Sequence, residues 1–198
     1  MFEFDTSCAP ADVESRTVIR RVVISDLPKL EWFGQFRRYR NIFQQTFEEH
    51  LSGRRLMLVA DLDSFPIGQI VVQFSSARTQ FADGRTRGYL YALRVLQPFR
   101  HRGVGTRLIR WAEQALIERQ YLWSTIAVAK DNHGARRLYE RLDYRVFADD
   151  PGRWRYTDPD GEVHFVVEPS WVLAKRLATG DSDCEEEHGW AASISTVG

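Results

Sequence analysis

A basic, glycine-containing turn is the part of this sequence whose residue types point most directly to chemistry. Arg100, Gly103 and Gly105 lie between a predicted strand over residues 89–96 and a predicted helix. Backbone N–H groups at a glycine turn, with a helix N-terminus behind them, bind anions without a special side chain. Residues 90–112 hold five arginines and no carboxylate, in a chain of zero formal net charge. This imbalance favours a ligand that carries phosphate.

The elements on either side of the turn follow from hydrophobic patterning. The segment before the turn is rich in aromatic and branched residues, which is typical of a strand. After the turn, five apolar residues recur at helical spacing and predict one buried helix face: Val104, Leu108, Ala112, Ala115 and Leu116.

Three kinds of phosphate-binding turn have to be separated. A P-loop needs a lysine after its last glycine, whereas Thr106 and Arg107 follow Gly105 here. A dinucleotide fingerprint needs a third glycine, where this chain has Leu108. The remaining pattern is Arg-x-x-Gly-x-Gly, starting at Arg100. Taken alone, it leaves open a basic turn that is merely capped by glycine.

A second pattern follows downstream. Residues 122–128 read as another strand, and apolar residues at offsets of 3, 4 and 7 then predict a helix. The run is Val128-x3-Asn132-x2-Ala135-x2-Leu138-Tyr139-x2-Leu142-Asp143-Tyr144.

Both patterns resemble motifs of the GNAT family of N-acetyltransferases, and the resemblance covers the chain from about residue 17 to about residue 177. The turn is similar to the family's loop for the pyrophosphate of acyl-CoA, Gln/Arg-x-x-Gly-x-Gly/Ala. The downstream run is similar to the second CoA motif, Val-x3-Asn-x2-Ala-x2-Leu-Tyr-x2-Leu-Gly-Phe. It departs from that motif at Asp143, which tolerates the left-handed turn that closes a helix, and at Tyr144 in place of phenylalanine.

The resemblance implies an α/β (α+β) fold with a central mixed, mostly antiparallel sheet flanked by helices. Ser25 or Asp26 is the expected N-cap of the first helix. The remaining elements are predicted from patterning: strands over 17–24, 55–61, 67–74, 144–147, 153–156, 163–167 and 171–177, and helices over 27–34 and 35–51.

Length and composition fit one compact domain with a sizeable core, since 43% of the 198 residues are hydrophobic. We expect a flexible arm over residues 1–16, the GNAT domain over residues 17–177, and a disordered acidic tail over residues 178–198.

The sequence also argues against several classes of partner. No apolar run is long enough to span a bilayer and no signal pattern opens the chain, so we expect a cytoplasmic protein without membrane contact. Zero net charge argues against nucleic acid. Cys8 and Cys184 suit free thiols, because two cysteines in predicted tails give no disulfide framework. His50 and His164 each lack a second ligand at useful spacing, so no metal is expected.

The resemblance makes acetyl-CoA the co-substrate. In the family, pantetheine lies like an extra strand between the strand before the glycine turn and the next strand. This implies contacts with backbone groups of Leu93, Arg94 and Val95, with the Val95 N–H on the acetyl carbonyl. The Arg100 side chain is then expected near the pyrophosphate. Five backbone N–H groups would hold that pyrophosphate: those of Arg102, Gly103, Val104, Gly105 and Thr106.

Tyr139 corresponds to the family tyrosine that protonates the departing thiolate, although a ring packed in the core is the alternative. Asn132 corresponds to an asparagine that contacts the cofactor arm, and it also suits a helix N-cap. No general base is assigned, because residues 89–96 contain no carboxylate. Four residues are candidates, directly or through water: Tyr89, Tyr91, His101 and Glu168.

The first two predicted helices lie where the family builds its acceptor site. Core packing is the favoured interpretation of an aromatic stripe there, and the alternative places Tyr39, Arg37, Arg38 or Arg40 at the acceptor entrance. The stripe consists of Phe33, Phe36, Tyr39, Phe43 and Phe47.

These observations predict an N-acetyltransferase in which a primary amine attacks acetyl-CoA directly in a ternary complex. The class of amine stays open. One alternative is a transferase that uses another acyl-CoA. Another is a GNAT-fold acyl-CoA sensor without turnover, an idea kept open by the missing carboxylate. A homodimer is compatible with the family, although the sequence identifies no interface.

Overall fold

The structure, a computed structural model, describes Val13 and residues 15–178. Most of the predicted N-terminal arm and C-terminal tail, including both cysteines, lies outside the described residues. The elements in chain order are β1 (Val18–Arg21), α1 (Arg40–Leu51), β2 (Arg55–Leu62), β3 (Phe65–Gln73), β4 (Arg87–Val95), α2 (Val104–Glu118), β5 (Trp123–Ala129), α3 (His133–Arg141), β6 (Arg145–Asp150), β7 (Arg153–Thr157), β8 (Val163–Val167) and β9 (Ser170–Arg176).

Seven of these strands form one sheet in the order β1-β2-β3-β4-β5-β9-β6, and β7 pairs with β8 in a separate hairpin. Every neighbouring pair in the large sheet is antiparallel except β4 and β5, which run parallel. The predicted mixed, mostly antiparallel sheet flanked by helices is therefore confirmed.

The sheet separates two apolar clusters. On one face α2 buries the side predicted from its periodicity, including Leu108 and Leu116, against β3 and β4. A Cβ at Gly88 would overlap the Leu116 side chain, so this glycine lets α2 approach the sheet closely. On the other face α1 buries Phe43 and Phe47 against β2 and β3, which confirms core packing for this part of the aromatic stripe.

The segment before α1 differs from the prediction. The helix expected over residues 27–34 is wrong, and the second helix begins at Arg40 rather than residue 35. Neither Ser25 nor Asp26 is an N-cap there. Short 3-10 turns take the place of the missing helix: Ile24–Asp26, Lys29–Glu31 and Arg37–Tyr39.

Left-handed backbone interrupts the helix. Trp32, Phe33 and Gly34 have φ values of 41°, 59° and 89°, which no α-helix accommodates. The buried Trp32 indole donates a hydrogen bond to the Pro66 carbonyl at 2.8 Å. This buried contact to β3 turns the chain away from the helical path and leaves Phe33 72% exposed.

The other predicted elements agree with the observed ones to within a few residues. Asp143 has a φ of 68°, the left-handed conformation predicted where α3 ends. Among the described residues, no helix is long and apolar enough to cross a membrane.

Candidate active site

The parallel pair at the centre of the sheet comes apart along its length. β4 and β5 are paired only from Arg87 to Leu90 and from Trp123 to Ile126. Beyond that point β4 stays with β3 as far as Val95, while β5 stays with β9. The two strands therefore splay, and their exposed edges face each other across a gap.

A cavity of about 730 Å³ opens at this gap. Two of the predicted cofactor residues on β4, Leu93 and Arg94, line it from one side. Asn132 and Tyr139, from the α3 side, line it from the other. The structure thus brings together residues that the two sequence patterns placed on separate elements.

The Val95 backbone faces the gap. The Leu96 N–H donates to the Ile67 carbonyl at 2.8 Å, toward β3. Successive N–H groups of a strand point to opposite edges, so the Val95 N–H is directed away from β3. The Arg100 Nε donates to the Val95 carbonyl at 2.9 Å, on the same edge. The predicted acetyl-binding N–H is therefore free of the β3 ladder.

The glycine turn lies at the end of β4. Gly103 has a φ of 77° and is the N-cap of α2, a left-handed position that favours glycine. The first backbone bond of the helix runs from the Arg107 N–H to the Gly103 carbonyl at 3.0 Å. The amides before Arg107 therefore lack helical partners and are available to an anion.

A second observation indicates that this turn suits a phosphate group. The Arg102 Nη1 is buried and has no hydrogen-bond partner among the described residues. A buried guanidinium nitrogen without a partner is costly, and a bound anion would satisfy it. The residues present thus suit the pyrophosphate of an acyl-CoA.

Asn132 begins α3. Its Oδ1 accepts the Ala135 N–H at 3.1 Å, which makes it the helix N-cap. Asn132 also lines the cavity. Both roles considered for this asparagine are sterically compatible.

Tyr139 lies in the wall of the cavity and is only 5% exposed. Burial raises the pKa of its phenol to about 12. Its hydroxyl has no hydrogen-bond partner among the described residues, whereas a buried tyrosine usually finds one. The group is therefore a protonated donor at neutral pH that is open to the cavity.

The neighbouring Tyr144 is the contrasting case, with its ring centroid 6.3 Å from that of Tyr139. Its hydroxyl lies 2.7 Å from Ser124 Oγ and donates to Glu113 Oε1 at 2.8 Å. Glu113 also accepts from Lys175 Nζ at 2.8 Å. This satisfied network is structural, since none of its members lines the cavity.

The other part of the cavity lies on the α1 face of the sheet. Polar side chains of β3 and β4 line it there, on a surface that would otherwise be apolar. Gln69 is 3% exposed, and its Oε1 has no hydrogen-bond partner among the described residues. The polar residues that β3 and β4 contribute are Gln69, Gln73, Tyr89, Tyr91 and Arg94.

A β-bulge puts Arg94 on this wall. Ala92 has a φ of 52°, and the β3–β4 register shifts so that Val71 faces Tyr91 while Gln69 faces Arg94. Strict alternation from Tyr91 would turn Arg94 toward α2, but the extra residue turns it to the α1 face. Its guanidinium lies 4.8 Å from the centroid of the Phe36 ring.

Two carboxylates reach the cavity. Asp150 is buried, forms an ion pair with Arg78, and accepts the Gly152 N–H at 2.6 Å. Glu168 lines the cavity without an ion pair among the described residues. A Cβ at Gly152 would overlap the Glu168 backbone, so this glycine allows the close approach that places Glu168.

The four candidates for a base have different surroundings. Burial raises the pKa of Tyr89 and of Tyr91 above that of free tyrosine, which disfavours the phenolate at neutral pH. His101 is exposed in the turn before α2 and does not line the cavity. The structure therefore brings Tyr89, Tyr91 and Glu168 together and leaves His101 outside.

The β7–β8 hairpin borders the cavity through Trp154 and Arg155. Asn41 Nδ2 donates to the Asp158 carbonyl at 2.8 Å, and Arg37 forms an ion pair with Asp160 at 2.9 Å. The Tyr39 ring meets the Tyr156 ring edge-on, with centroids 5.1 Å apart. Of the predicted entrance residues, Tyr39 lines the cavity, and Arg37 contacts the hairpin through its ion pair. The Arg38 guanidinium stacks on the Tyr39 ring, and Arg40 forms an ion pair with Glu31.

His164 has neighbours that its sequence context did not reveal. The His164 Nε2 lies 2.7 Å from Asp158 Oδ2, and Glu162 completes a group whose ligand atoms lie within 4.8 Å of one another. The other oxygen of Asp158 accepts the backbone N–H groups of Asp160 and Glu162, each at 2.9 Å. The carboxylate thus closes the turn of the β7–β8 hairpin.

Sequence reasoning missed Gln69 and Asp150. A glutamine inside the apolar run of β3 was a usable signal, because a polar residue on a buried strand face requires a partner. Asp150 carried no such signal, since it follows another aspartate at a predicted loop.

Comparison with known proteins agrees with this geometry. The model of the Acetyltransferase (GNAT) family matches residues 22–144. N-alpha-acetyltransferase MAK3 of Arabidopsis thaliana is 33% identical over 78 residues, which span 39% of this chain and 38% of that protein's length.

Solved structures share the fold at lower identity. Ard1 from Thermoplasma volcanium has a TM-score of 0.62 at 17% identity, covering 82% of this chain and 99% of that one. Arabidopsis thaliana NAA60, solved in complex with acetyl-CoA, has a TM-score of 0.59 at 22% identity, covering 81% and 98%. Because the family model spans more than half of its length, the chain belongs to the acetyltransferase (GNAT) family.

Proposed function

We propose that this protein transfers the acetyl group of acetyl-CoA to a primary amine, by direct attack of the amine in a ternary complex. The observation that carries the proposal is the splayed pair β4 and β5, with the unpartnered Tyr139 hydroxyl in the wall of the gap. Acetyl-CoA supplies the activated acetyl group when bound. The chain supplies orientation, hydrogen-bond donors and proton transfer.

The cofactor residues are those that the two motifs imply. Backbone amides from Arg102 to Thr106 hold the pyrophosphate, with the side chains of Arg100 and Arg102 beside it. Backbone groups of Leu93, Arg94 and Val95 bind the pantetheine arm along the free edge of β4. Asn132 contacts the same arm from α3.

Two donors act on the reacting atoms. The Val95 N–H, directed into the gap, donates to the acetyl carbonyl, where negative charge develops as the amine attacks. Tyr139 protonates the departing thiolate, since burial keeps its phenol protonated throughout the neutral range.

Glu168 is the group that we propose for removing the proton of the amine, through a water molecule. The two tyrosine candidates are disfavoured by burial, and Asp150 is held by Arg78. Glu168 has no ion pair among the described residues and lines the same cavity as Tyr139. The negative charge of Glu168 adds to the raised pKa of Tyr89, which lines the same cavity.

The acceptor is an amine whose class the proposed function leaves open. The names of MAK3 and the other N-acetyltransferases favour testing the α-amino group of a peptide first. A transferase for another acyl-CoA, or a sensor that binds acyl-CoA without turnover, is the alternative.

Calorimetric titration with acetyl-CoA, CoA, NAD and ATP, followed by thiol release with a panel of amines, tests the proposal. We expect micromolar binding of acetyl-CoA, and thiol release that accelerates with at least one amine. Binding without amine-dependent release would indicate the sensor, and folded protein that binds no acetyl-CoA would overturn the proposal.

A further inference from the structure

The acceptor side of the cavity contains a cation without a counter-charge. Arg94 lines the cavity, and no carboxylate of the described residues lies within ion-pair distance of its guanidinium. The other half-buried arginine of this wall, Arg55, pairs with Glu49, and Arg78 pairs with Asp150. Arg94 therefore differs from Arg55 and Arg78 in having no carboxylate partner, and it differs from Arg155, which also lines the cavity, in being half-buried rather than exposed.

Aromatic rings hold this cation in place. Its guanidinium lies 4.8 Å from the centroid of Phe36 and 5.1 Å from that of Tyr39. The faces of the rings attract the charge but offer no carboxylate or carbonyl oxygen to the five N–H donors. Burial among these groups lowers the pKa of Arg94 from its usual value, a desolvation that an anionic ligand would offset.

A buried acceptor atom lies on the neighbouring strand. Gln69 faces Arg94 directly in the β3–β4 register, and its Oε1 has no partner among the described residues. Side chains paired across an antiparallel ladder lie on the same face of the sheet. The wall therefore presents one unsatisfied hydrogen-bond acceptor beside one unneutralised cation.

We propose that the acceptor carries an anionic group, such as a carboxylate, near the amine that is acetylated, and that Arg94 binds this group. Gln69 accepts an N–H of the same molecule. The proposal rests on the acetyl transfer proposed above, and it names the substrate class of that site. The chemistry is shared by a free amino acid and by a peptide whose first residue is acidic.

Matched acceptor pairs test the proposal and separate these two sources. Glycine is compared with glycinamide, β-alanine with β-alaninamide, and short peptides beginning with aspartate with those beginning with asparagine. We expect the wild-type protein to prefer the anionic member of at least one pair by about 10- to 100-fold in kcat/KM, the value of a charge-assisted hydrogen bond. Preference in the amino acid pairs indicates a free amino acid, and preference in the peptide pair alone indicates a peptide.

Variants of Arg94 show whether this residue causes the preference for the anionic acceptor. Arg94→Met should reduce the preference to about twofold or less, while Arg94→Lys retains part of it by keeping the charge. Only the Arg94 backbone is proposed to contact the cofactor, and both variants keep that backbone, so the fall in preference should far exceed any change in the Kd for acetyl-CoA. Arg110→Met, which removes an exposed arginine of α2, is the control and should keep the wild-type preference.

Three outcomes would overturn the inference. They are equal use of both members of every pair by the wild-type protein, an unchanged preference in Arg94→Met, and an acetyl-CoA Kd that weakens in Arg94→Met as much as the preference falls. In the last case the Arg94 side chain would bind the cofactor rather than the acceptor. Absence of transfer to any amine would instead count against the proposed function.

Discussion

The two parts of the cavity are made from different components of the chain. On the cofactor side, backbone groups dominate: the amides of the turn at Gly103 and the free edge of β4. On the acceptor side, side chains of β3 and β4 dominate, among them Gln69, whose Oε1 has no partner among the described residues, and Arg94, which has no ion pair there. The contrast indicates that the cofactor side suits one fixed ligand, whereas the acceptor side is changed by single substitutions.

The largest expected effect comes from breaking the backbone-built side. Gly103→Val places a β-branched residue at a φ of 77° and distorts the amides that would hold the pyrophosphate. Losing two charge-assisted hydrogen bonds at about 1.5 kcal/mol each weakens acetyl-CoA binding about 100-fold. Calorimetric titration measures this Kd.

Gly53→Val is the matched control for that substitution. Gly53 has a nearly equal φ of 76° but lies in the turn between α1 and β2, with open space around it. The Gly53→Val variant should lose about as much stability as Gly103→Val, while its Kd for acetyl-CoA should stay at the wild-type value. Equal weakening of binding in both variants would mean that the turn at Gly103 has no special role.

Tyr139→Phe tests the group shared by the two sides. Without the acid for the thiolate, kcat should fall about 100-fold while the Kd for acetyl-CoA changes little. Because the pKa of Tyr139 is raised to about 12, wild-type kcat should show no loss from its ionisation up to about pH 10. Steady-state kinetics across this pH range provide the measurement.

Tyr144→Phe is the paired variant of a buried tyrosine outside the cavity. It leaves Glu113 and Ser124 with one partner fewer, so the protein should lose about 1–3 kcal/mol of stability with kcat nearly unchanged. If thermal unfolding and kinetics showed the reverse pattern for the two tyrosines, the assignment of Tyr139 would be wrong.

Glu168→Gln addresses the acceptor side. We expect kcat/KM to fall about tenfold at neutral pH, less than for a direct base, because the proton passes through water. A more basic reaction mixture should recover much of the loss as the amine deprotonates by itself. A rate unaffected at every pH would remove Glu168 from the mechanism.

The smallest effect is expected at the hairpin that borders the cavity. Asn41→Ala removes the hydrogen bonds to the Thr157 and Asp158 carbonyls and should raise the acceptor KM about two- to threefold. Acceptor titrations at saturating acetyl-CoA measure the change, with exposed Arg110→Ala as the control. A change in the Kd for acetyl-CoA instead would contradict the division of the cavity into two sides.

The same contrast explains how much was predictable from the sequence. The turn at Gly103, the cap at Asn132 and the left-handed Asp143 follow from local conformational needs, which glycine, asparagine and aspartate reveal directly. The mixed, mostly antiparallel sheet, and a binding arm lying between the strand before the glycine turn and the next strand, followed from the family resemblance. For these reasons the local backbone geometry at the turn and at both ends of α3 could be predicted.

The acceptor side was predicted less well because it depends on contacts between distant parts of the chain. The bulge at Ala92 has no signature in residue type, yet it decides which face Arg94 occupies. The Trp32 contact to Pro66 overrides a helical pattern that looked adequate locally. Tertiary register and packing, rather than propensity, determine both features.

A single-turnover experiment tests the central claim most directly, with the protein in excess of acetyl-CoA and a reactive amine present or absent. Mass spectrometry follows the acetylated amine, the free thiol and the intact protein. We predict one acetylated amine per thiol released, with no acetylated protein when amine is absent. Acetylation of the protein before amine is added would contradict direct attack, and thiol that stays acetylated with every amine would contradict catalysis itself.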